Sequence, residues 1–301
     1  MLSSKSVKKK IICLYGPTAS YKTQCAVALA QRIDGVVINA DSMQVYKETP
    51  ILTSQPNEQD RSIVQHKLYG IISPLSSFSV GKWLRFAIEE INNAKKQMFC
   101  PILVGGTGLY FSHLINGIAK IPEITDATKN QVKNLIKESN SSYDLLKKYD
   151  AELAKKLSPR DKFRILRGLE VIVQTGQSIL KWQEKNTIFF DRKDFLNIYI
   201  CPPRETVYAN INQRFLKMLD EGVENEVRSI LAKYENQKLP KIIGLNTIKE
   251  YISGEKDFNT MVSEVQKLTR NYAKRQYTWF NNKLDHDLVF NPKIWIAALT
   301  V

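Results

Sequence analysis

Cysteine and histidine are too sparse and too scattered to build a metal centre or a disulfide framework. Cys13, Cys25, Cys100 and Cys201 make no C-x-x-C pair, and His66, His113 and His286 lie equally far apart. No zinc site is expected, and the thiols read as the reduced cysteines of a cytoplasmic protein. Long apolar runs are missing as well. After Lys5, Lys8, Lys9 and Lys10 only five apolar residues precede Gly16-Pro17, too few for a signal-peptide core or a membrane span. A phosphate loop starting at Gly16 leaves no expected room for a removable leader, and no later stretch approaches a transmembrane helix. Internal repeats and low-complexity tracts are absent.

Negative charge is also in short supply. Against 44 Lys and Arg there are 30 Asp and Glu, a net charge of +14. Such an excess suggests a polyanionic partner, nucleic acid first and an anionic membrane surface second. A lysine-rich composition accounts for a good part of it, so charge gains weight only beside motifs. At 301 residues, 43% hydrophobic and 25% charged, the chain has the make-up of a soluble globular protein. It has room for one large domain or two modest ones.

What is present is organised around Gly16-Pro17-Thr18-Ala19-Ser20-Tyr21-Lys22-Thr23, directly behind the apolar run at 11–15. A buried strand, a small-residue loop and Lys-Thr opening a helical pattern (Ala26, Leu29, Ala30, Ile33) form the layout of a P-loop. Backbone N–H groups of such a loop cradle phosphate oxygens, the lysine neutralises them, and the hydroxyl holds Mg²⁺. Tyr21 occupies the position of the second motif glycine, so the match is incomplete. An ordinary strand–turn–helix with a chance Lys-Thr remains the bland alternative for the octapeptide alone.

The rest of the chain supplies the context. Residues 35–40 read as a second buried strand ending in Asp41-Ser42-Met43-Gln44-Val45-Tyr46, and a short strand is expected near 68–72. An amphipathic helix is expected over 80–94. A third strand at 101–104 runs into Gly105-Gly106-Thr107-Gly108-Leu109-Tyr110 and another helix. Strands alternating with helices imply a parallel sheet, with ligands at the C-terminal strand ends. Residues 121–185 are helical and basic, an expected all-helical insertion within a core of 1–120 and 186–301. There Arg160, Arg164 and Arg167 fall at helical spacing opposite Ile165, Leu169 and Ile172. A returning strand is expected at 195–201, then helices at 204–219, 223–234, 245–252 and 260–281. The last helix shows an apolar stripe of Val265, Leu268, Tyr272 and Trp279. At that spacing Tyr272 and Trp279 read as core.

Four motifs in order, Asp41-Ser42-x-Gln44-x-Tyr46, the 101–110 segment, Arg164-x-x-Arg167-x-Leu169-Glu170-Val171 and Tyr272-Ala273-Lys274-Arg275-Gln276-x-Thr278-Trp279-Phe280, resemble those of tRNA dimethylallyltransferases (tRNA isopentenyltransferases), over roughly residues 11–282. The bacterial form is the more similar, since no zinc finger follows. The resemblance implies an α/β, P-loop-type parallel sheet and transfer of a dimethylallyl group from its diphosphate to N6 of the adenine immediately 3′ of the anticodon, with Mg²⁺ as cofactor. It implies a monomer acting on the anticodon stem-loop, with no membrane. Gly16, Pro17, Thr18, Ala19, Ser20, Tyr21, Lys22 and Thr23 would hold the diphosphate, Thr23 beside the metal. Asp41, Thr107 and Arg214 would be catalytic. Asp41, Ser42, Met43, Gln44, Thr107, Phe163, Arg164, Ile165, Leu166, Arg167, Arg270, Lys274 and Arg275 would meet the tRNA, with Arg160 alongside.

The sequence departs from the family at Tyr21 (usually Gly), Lys47 (Arg), Phe163 (Gln) and Asn271 (Arg). If position 21 needs a positive φ, a tyrosine there costs about 1–2 kcal/mol. The competing readings are transfer to a free adenine nucleotide, a P-loop small-molecule kinase, and a tRNA-binding homologue whose catalysis Tyr21 has weakened or abolished.

Overall fold

The computed structural model describes residues 7–292. In chain order the first half is β1 (Ile11–Tyr15), α1 (Lys22–Ile33), β2 (Gly35–Asn39), α2 (Glu58–Ile63), β3 (His66–Lys67), α3 (Val80–Lys96), β4 (Cys100–Gly105) and α4 (Gly108–Asn116). Then come β5 (Ile118–Ala119), α5 (Asp126–Lys137), α6 (Ser142–Tyr149), α7 (Ala151–Lys156), α8 (Lys162–Thr175), α9 (Ile179–Gln183) and β6 (Asn186–Thr187). The remaining described elements are β7 (Phe195–Ile200), α10 (Arg204–Asp220), α11 (Val223–Lys233), α12 (Leu245–Ile252), α13 (Phe258–Lys283) and β8 (Leu288–Phe290).

The described residues form two compact units, one of 7–115 and 190–292, the other of 116–189. In the first, six strands form one sheet in the order β3-β2-β4-β1-β7-β8, and every pairing is parallel. All five residues of β1 and β2 and all six of β4 and β7 are buried, because helices cover a parallel sheet on both faces. Register sets where the loops emerge. Tyr15 lies opposite Gly105, and Asn39 opposite Val104, so the chain leaves β1, β2 and β4 side by side at one edge. Trp83, wholly buried on α3, donates its Nε1 to the Asn39 carbonyl at 2.8 Å and stacks on Tyr110 with centroids 4.2 Å apart. That contact pins the end of β2.

In the second unit, Val132, Leu146, Leu153, Ile165 and Leu169 share one core. Gly168 lets α8 lie against α7, since a Cβ there would sit 2.4 Å from Leu153. The unit also contains the antiparallel pair β5–β6. Arg160 precedes the Asp161 cap of α8, so it is not on the helix with Arg164 and Arg167.

Two expectations for the first unit are corrected. The strand expected at 68–72 lies instead at His66–Lys67, because Leu68 turns to a φ of +64° and leaves the ladder, and within 68–72 only an isolated bridge from Ile72 to Tyr46 remains. The buried face of α13 is Met261, Val265, Thr269, Ala273, Gln276, Tyr277 and Phe280, while Leu268 is exposed. Among the described residues no helix is long and apolar enough to cross a membrane.

Candidate active site

The 16–23 loop is shaped by its neighbours. A Cβ on Gly16 would stand 2.2 Å from the Ile200 carbonyl of β7, so only glycine fits. Ala19 and Tyr21 both have positive φ, and Tyr21 caps α1 in the left-handed region at φ 66°, ψ 17°. The tyrosine is held there: its hydroxyl donates to Asn210 Oδ1 at 3.0 Å, and Asn210 donates to the Ala19 carbonyl at 3.0 Å. The Lys22 ammonium bonds the Pro17 carbonyl and lies 3.5 Å from Ser20 Oγ.

Three further elements close on this loop. From α10, Arg214 donates to Thr18 Oγ1 at 2.9 Å. From α13, buried Gln276 accepts from the Thr18 amide at 2.8 Å and donates to the Gly106 carbonyl at 2.8 Å. One side chain thus ties the phosphate-type loop to the glycine loop after β4. That second loop carries its glycines because of close approach rather than unusual φ. A Cβ would lie 2.1 Å from the Ala40 carbonyl at Gly105, 2.1 Å from Gln276 at Gly106, and 2.1 Å from the Trp279 ring at Gly108.

Asp41 follows β2. Its Oδ1 accepts from the Met43 amide at 2.9 Å, and its own amide is held by Asn39 Oδ1 at 2.8 Å. Thr107 accepts from the Ser42 amide at 2.9 Å, donates to Ser42 Oγ at 3.1 Å and shares a side-chain hydrogen bond with Tyr272. The expected catalytic trio Asp41, Thr107 and Arg214 therefore sits in one place with Lys22.

A cavity opens between these groups. Thr18, Asp41, Thr53, Ser54, Arg214, Thr269 and Tyr272 form its polar lining; Met43, Leu52, Ile211, Phe215, Met218, Ile242, Ile243 and Val265 form its apolar lining. The space inside it is about 70 Å³, a narrow cleft that opens to solvent. Burial lowers Lys22 to about 7, with Asp41 opposing the fall and Arg214 adding to it. Burial lowers Arg214 to about 10, again against Asp41. Two cations held in dry surroundings with one carboxylate between them favour an anion that supplies more negative charge.

These geometries can be set beside known proteins. The profile of a family described as IPP transferase matches residues 44–283. The chain belongs to the IPP transferase family. Its relatives include the tRNA dimethylallyltransferases of Pelagibacter ubique, 39% identical over 95% of this chain and 92% of that protein, and of Zymomonas mobilis, 38% identical over 96% and 93%. Among solved structures, a tRNA isopentenylpyrophosphate transferase from Staphylococcus epidermidis superposes with a TM-score of 0.67 at 30% identity, covering 96% and 97% of the two chains. A eukaryotic dimethylallyltransferase acting on tRNA gives 0.78 at 26% identity, covering 90% and 69%.

Within this IPP transferase, several expected site residues have other duties. Gln44 donates its amide to the Thr53 and Ser54 carbonyls at 3.0 and 2.7 Å, so it braces the neighbouring loop. Ile165 is wholly buried in the 116–189 unit, where its side chain cannot meet RNA. Arg164 pairs with Asp161 at 3.1 Å and Arg167 with Glu170 at 3.8 Å, both partly exposed, while Leu166 packs against that unit's core. Phe163 is 82% exposed. Arg270 donates to Asn212 at 2.6 Å. Lys274 and Arg275 are exposed and, with Trp279 and Lys283, line a groove on the outer face of α13.

Tyr272 is a cavity residue rather than core, and Trp279 covers Gly108. Asn39, Asn210 and Gln276 were not singled out in the sequence. Only the position of Gln276 inside the last motif pointed to it. Lys47 and Asn271 are exposed, and the structure assigns those two departures no role.

Proposed function

We propose that the protein transfers a dimethylallyl group from dimethylallyl diphosphate to N6 of the adenine immediately 3′ of the anticodon in tRNAs. The observation that carries this reading is the cavity, whose lining joins Thr18, Asp41 and Arg214 to apolar side chains such as Leu52, Ile211 and Phe215, with Lys22 near enough to feel the charges of Asp41 and Arg214. A five-carbon chain suits the apolar side chains and a diphosphate the two cations.

The amine nitrogen forms a bond to C1 of the prenyl group as the C1–O bond breaks, and the diphosphate departs with that electron pair. Lys22, Arg214 and the backbone of the 16–23 loop receive the charge that grows on the leaving oxygens. With an anionic leaving group, such stabilisation lowers the barrier more than any other single effect. Asp41 takes the proton that the amine loses. Thr107, fixed on Ser42, orients the acceptor at the mouth. The adenine leaves its stack to enter, as base-modifying enzymes require.

The donor set also fits Mg²⁺. Thr23 offers a hard oxygen beside Lys22 at the start of α1, and the described residues contain no cluster of three His, Cys, Asp or Glu. A Mg²⁺ held by one hydroxyl, substrate phosphate oxygens and water is the mode this ion favours. When bound, it neutralises diphosphate charge. Exposed Arg164, Lys274 and Arg275 supply phosphate contacts for the anticodon stem-loop. The reading places the protein in the cytoplasm as a monomer.

Tyr21 supports a working site. It does not line the cavity, and its hydroxyl is tied to Asn210. The test is transfer of radiolabelled dimethylallyl from its diphosphate to an anticodon stem-loop. Wild type is expected to transfer and Asp41→Ala is expected to be silent. Stem-loop binding without transfer by wild type or Tyr21→Gly would sink the enzyme reading.

A further inference from the structure

We infer, on the reading of the cavity as a prenyl-diphosphate site, that Glu226 positions one wall of the donor pocket and thereby restricts the length of prenyl chain it admits. Glu226 lies outside the cavity, in the first turn of α11. Its two carboxylate oxygens accept from consecutive backbone amides, Oε2 from Ile51 and Oε1 from Leu52, each at 2.8 Å.

The loop they belong to is a tight turn, with amides of Thr53, Ser54 and Gln55 bonded to carbonyls of Thr49, Ile51 and Pro50. The turn leaves the Ile51 and Leu52 amides without backbone acceptors of their own. A carboxylate answers them in a place where burial pushes its pKa up and the two amides pull it back. From the other side Gln44 holds the Thr53 and Ser54 carbonyls. The loop is therefore gripped at its donors by one helix and at its acceptors by the segment after β2.

Between the grips, Leu52, Thr53 and Ser54 face the cavity. Ser54 is held at φ +53° with a buried hydroxyl that has no partner. Backbone in that region persists only where its surroundings over-determine it. Leu52 is 7% exposed and belongs to one buried cluster with Phe215, Met218 and Ile242, which line the cavity with it.

Rigidity here bears on selection. Each carbon added to a prenyl chain makes entry to an apolar pocket more favourable, so hydrophobic contact alone would prefer a longer donor. A pocket discriminates against an extra apolar group only by a wall that does not yield. Glu226 touches no ligand; it is a positioning residue that acts through Leu52.

The experiment compares dimethylallyl and geranyl diphosphates as donors to an anticodon stem-loop, for wild type, Glu226→Gln, Leu52→Ala and the double variant. The side-chain amide introduced by Glu226→Gln keeps one acceptor where two backbone amides need answering. This variant is expected to raise KM for dimethylallyl diphosphate about 10-fold with kcat within about twofold, and to leave KM for the stem-loop unchanged. It is expected to narrow the preference over geranyl diphosphate by about 10-fold or more, as is Leu52→Ala. The double variant should add little to either, because both act on one wall. A folded Glu226→Gln with wild-type donor KM and preference, or strictly additive effects, would overturn the inference.

If Glu226→Gln does not fold, amide exchange in the wild type decides. Protection of Ile51 and Leu52 that rises with a non-reactive dimethylallyl thiodiphosphate, and not with inorganic pyrophosphate, supports the clamp; equal protection overturns it. Wild type that binds the stem-loop but uses neither donor overturns the donor reading itself, and the inference with it.

Discussion

The Tyr21 hydroxyl and Asn210 Oδ1 are hydrogen-bonded at 3.0 Å, and Asn210 in turn donates to Ala19, the other loop residue of positive φ. A helix 189 residues away in sequence thus braces the two strained positions of the phosphate-type loop. Two opposing effects act at residue 21. A left-handed tyrosine costs about 1–2 kcal/mol relative to glycine, and its hydrogen bond contributes about 0.5–1.5 kcal/mol. Tyr21→Gly is therefore expected to leave stability within about 1 kcal/mol of wild type, whereas Tyr21→Phe keeps the strain, loses the bond and falls by about 1 kcal/mol. Thermal unfolding that leaves Phe level with wild type would show that the bond contributes nothing, and Phe at or above Gly would show that the tyrosine is not strained.

Asp41 should separate chemistry from binding. Asp41→Asn preserves an acceptor for the Met43 amide but cannot take a proton. The expected result is a fall in kcat of about 10²–10⁴-fold, with donor KM and Tm nearly unchanged. A kcat within threefold of wild type would move the base elsewhere.

Lys22 gives a pH prediction whose sign is fixed by burial. Its pKa in the empty site is about 7, and an adjacent diphosphate raises it. Below about pH 7 the amine is charged with or without ligand. Above that, the empty site holds a neutral amine, so binding must take up a proton and affinity falls as pH rises. Calorimetry of inorganic pyrophosphate binding at pH 8, in buffers of different ionisation enthalpy, should show greater proton uptake for wild type than for Lys22→Arg. Equal uptake would mean Lys22 is already charged in the empty site.

Gln276 should matter to both stability and donor binding. Gln276→Ala leaves the Thr18 amide and the Gly106 carbonyl without their partner. Unpaired buried backbone groups cost about 1–3 kcal/mol each, so urea denaturation should show a loss of at least about 2 kcal/mol, together with a higher donor KM. Gln276→Glu, which keeps only the acceptor for Thr18, should fall between.

The sheet was legible because fully buried parallel strands read as unbroken apolar runs, as 11–15, 35–40, 101–104 and 195–201 did. β8 was not. Its three residues are an edge strand with Leu288 and Val289 exposed, set in register by Asp287, which accepts from the Asn197 amide at 2.7 Å. Nothing periodic announces such a strand. At the site, Asp41, Thr107, Lys22 and Arg214 were found through short motifs. The side chains that join the motifs were not, because Asn210 and Gln276 are polar residues whose burial is offset by hydrogen bonds. Hydrophobic spacing assigns such residues to the outer face, which is how Leu268 took the place of Gln276 on the inner stripe of α13. Gln44 shows the converse, a motif residue whose amide is consumed inside the fold.

The bond from the Thr18 amide to Gln276 spans 258 residues, and this has a consequence for how the protein is made. The loop at 16–23 leaves the ribosome well before α13, and at roughly 5–20 residues per second its partner there arrives some 10–50 s later. Until then β1 can pair with β4 and β7, and Arg214 is already made, but the loop lacks its tie to the glycine loop through Gln276. A nascent chain truncated before α13 could fold much of the sheet and still hold no diphosphate. The loop is made early relative to its partner and completed only when that partner arrives.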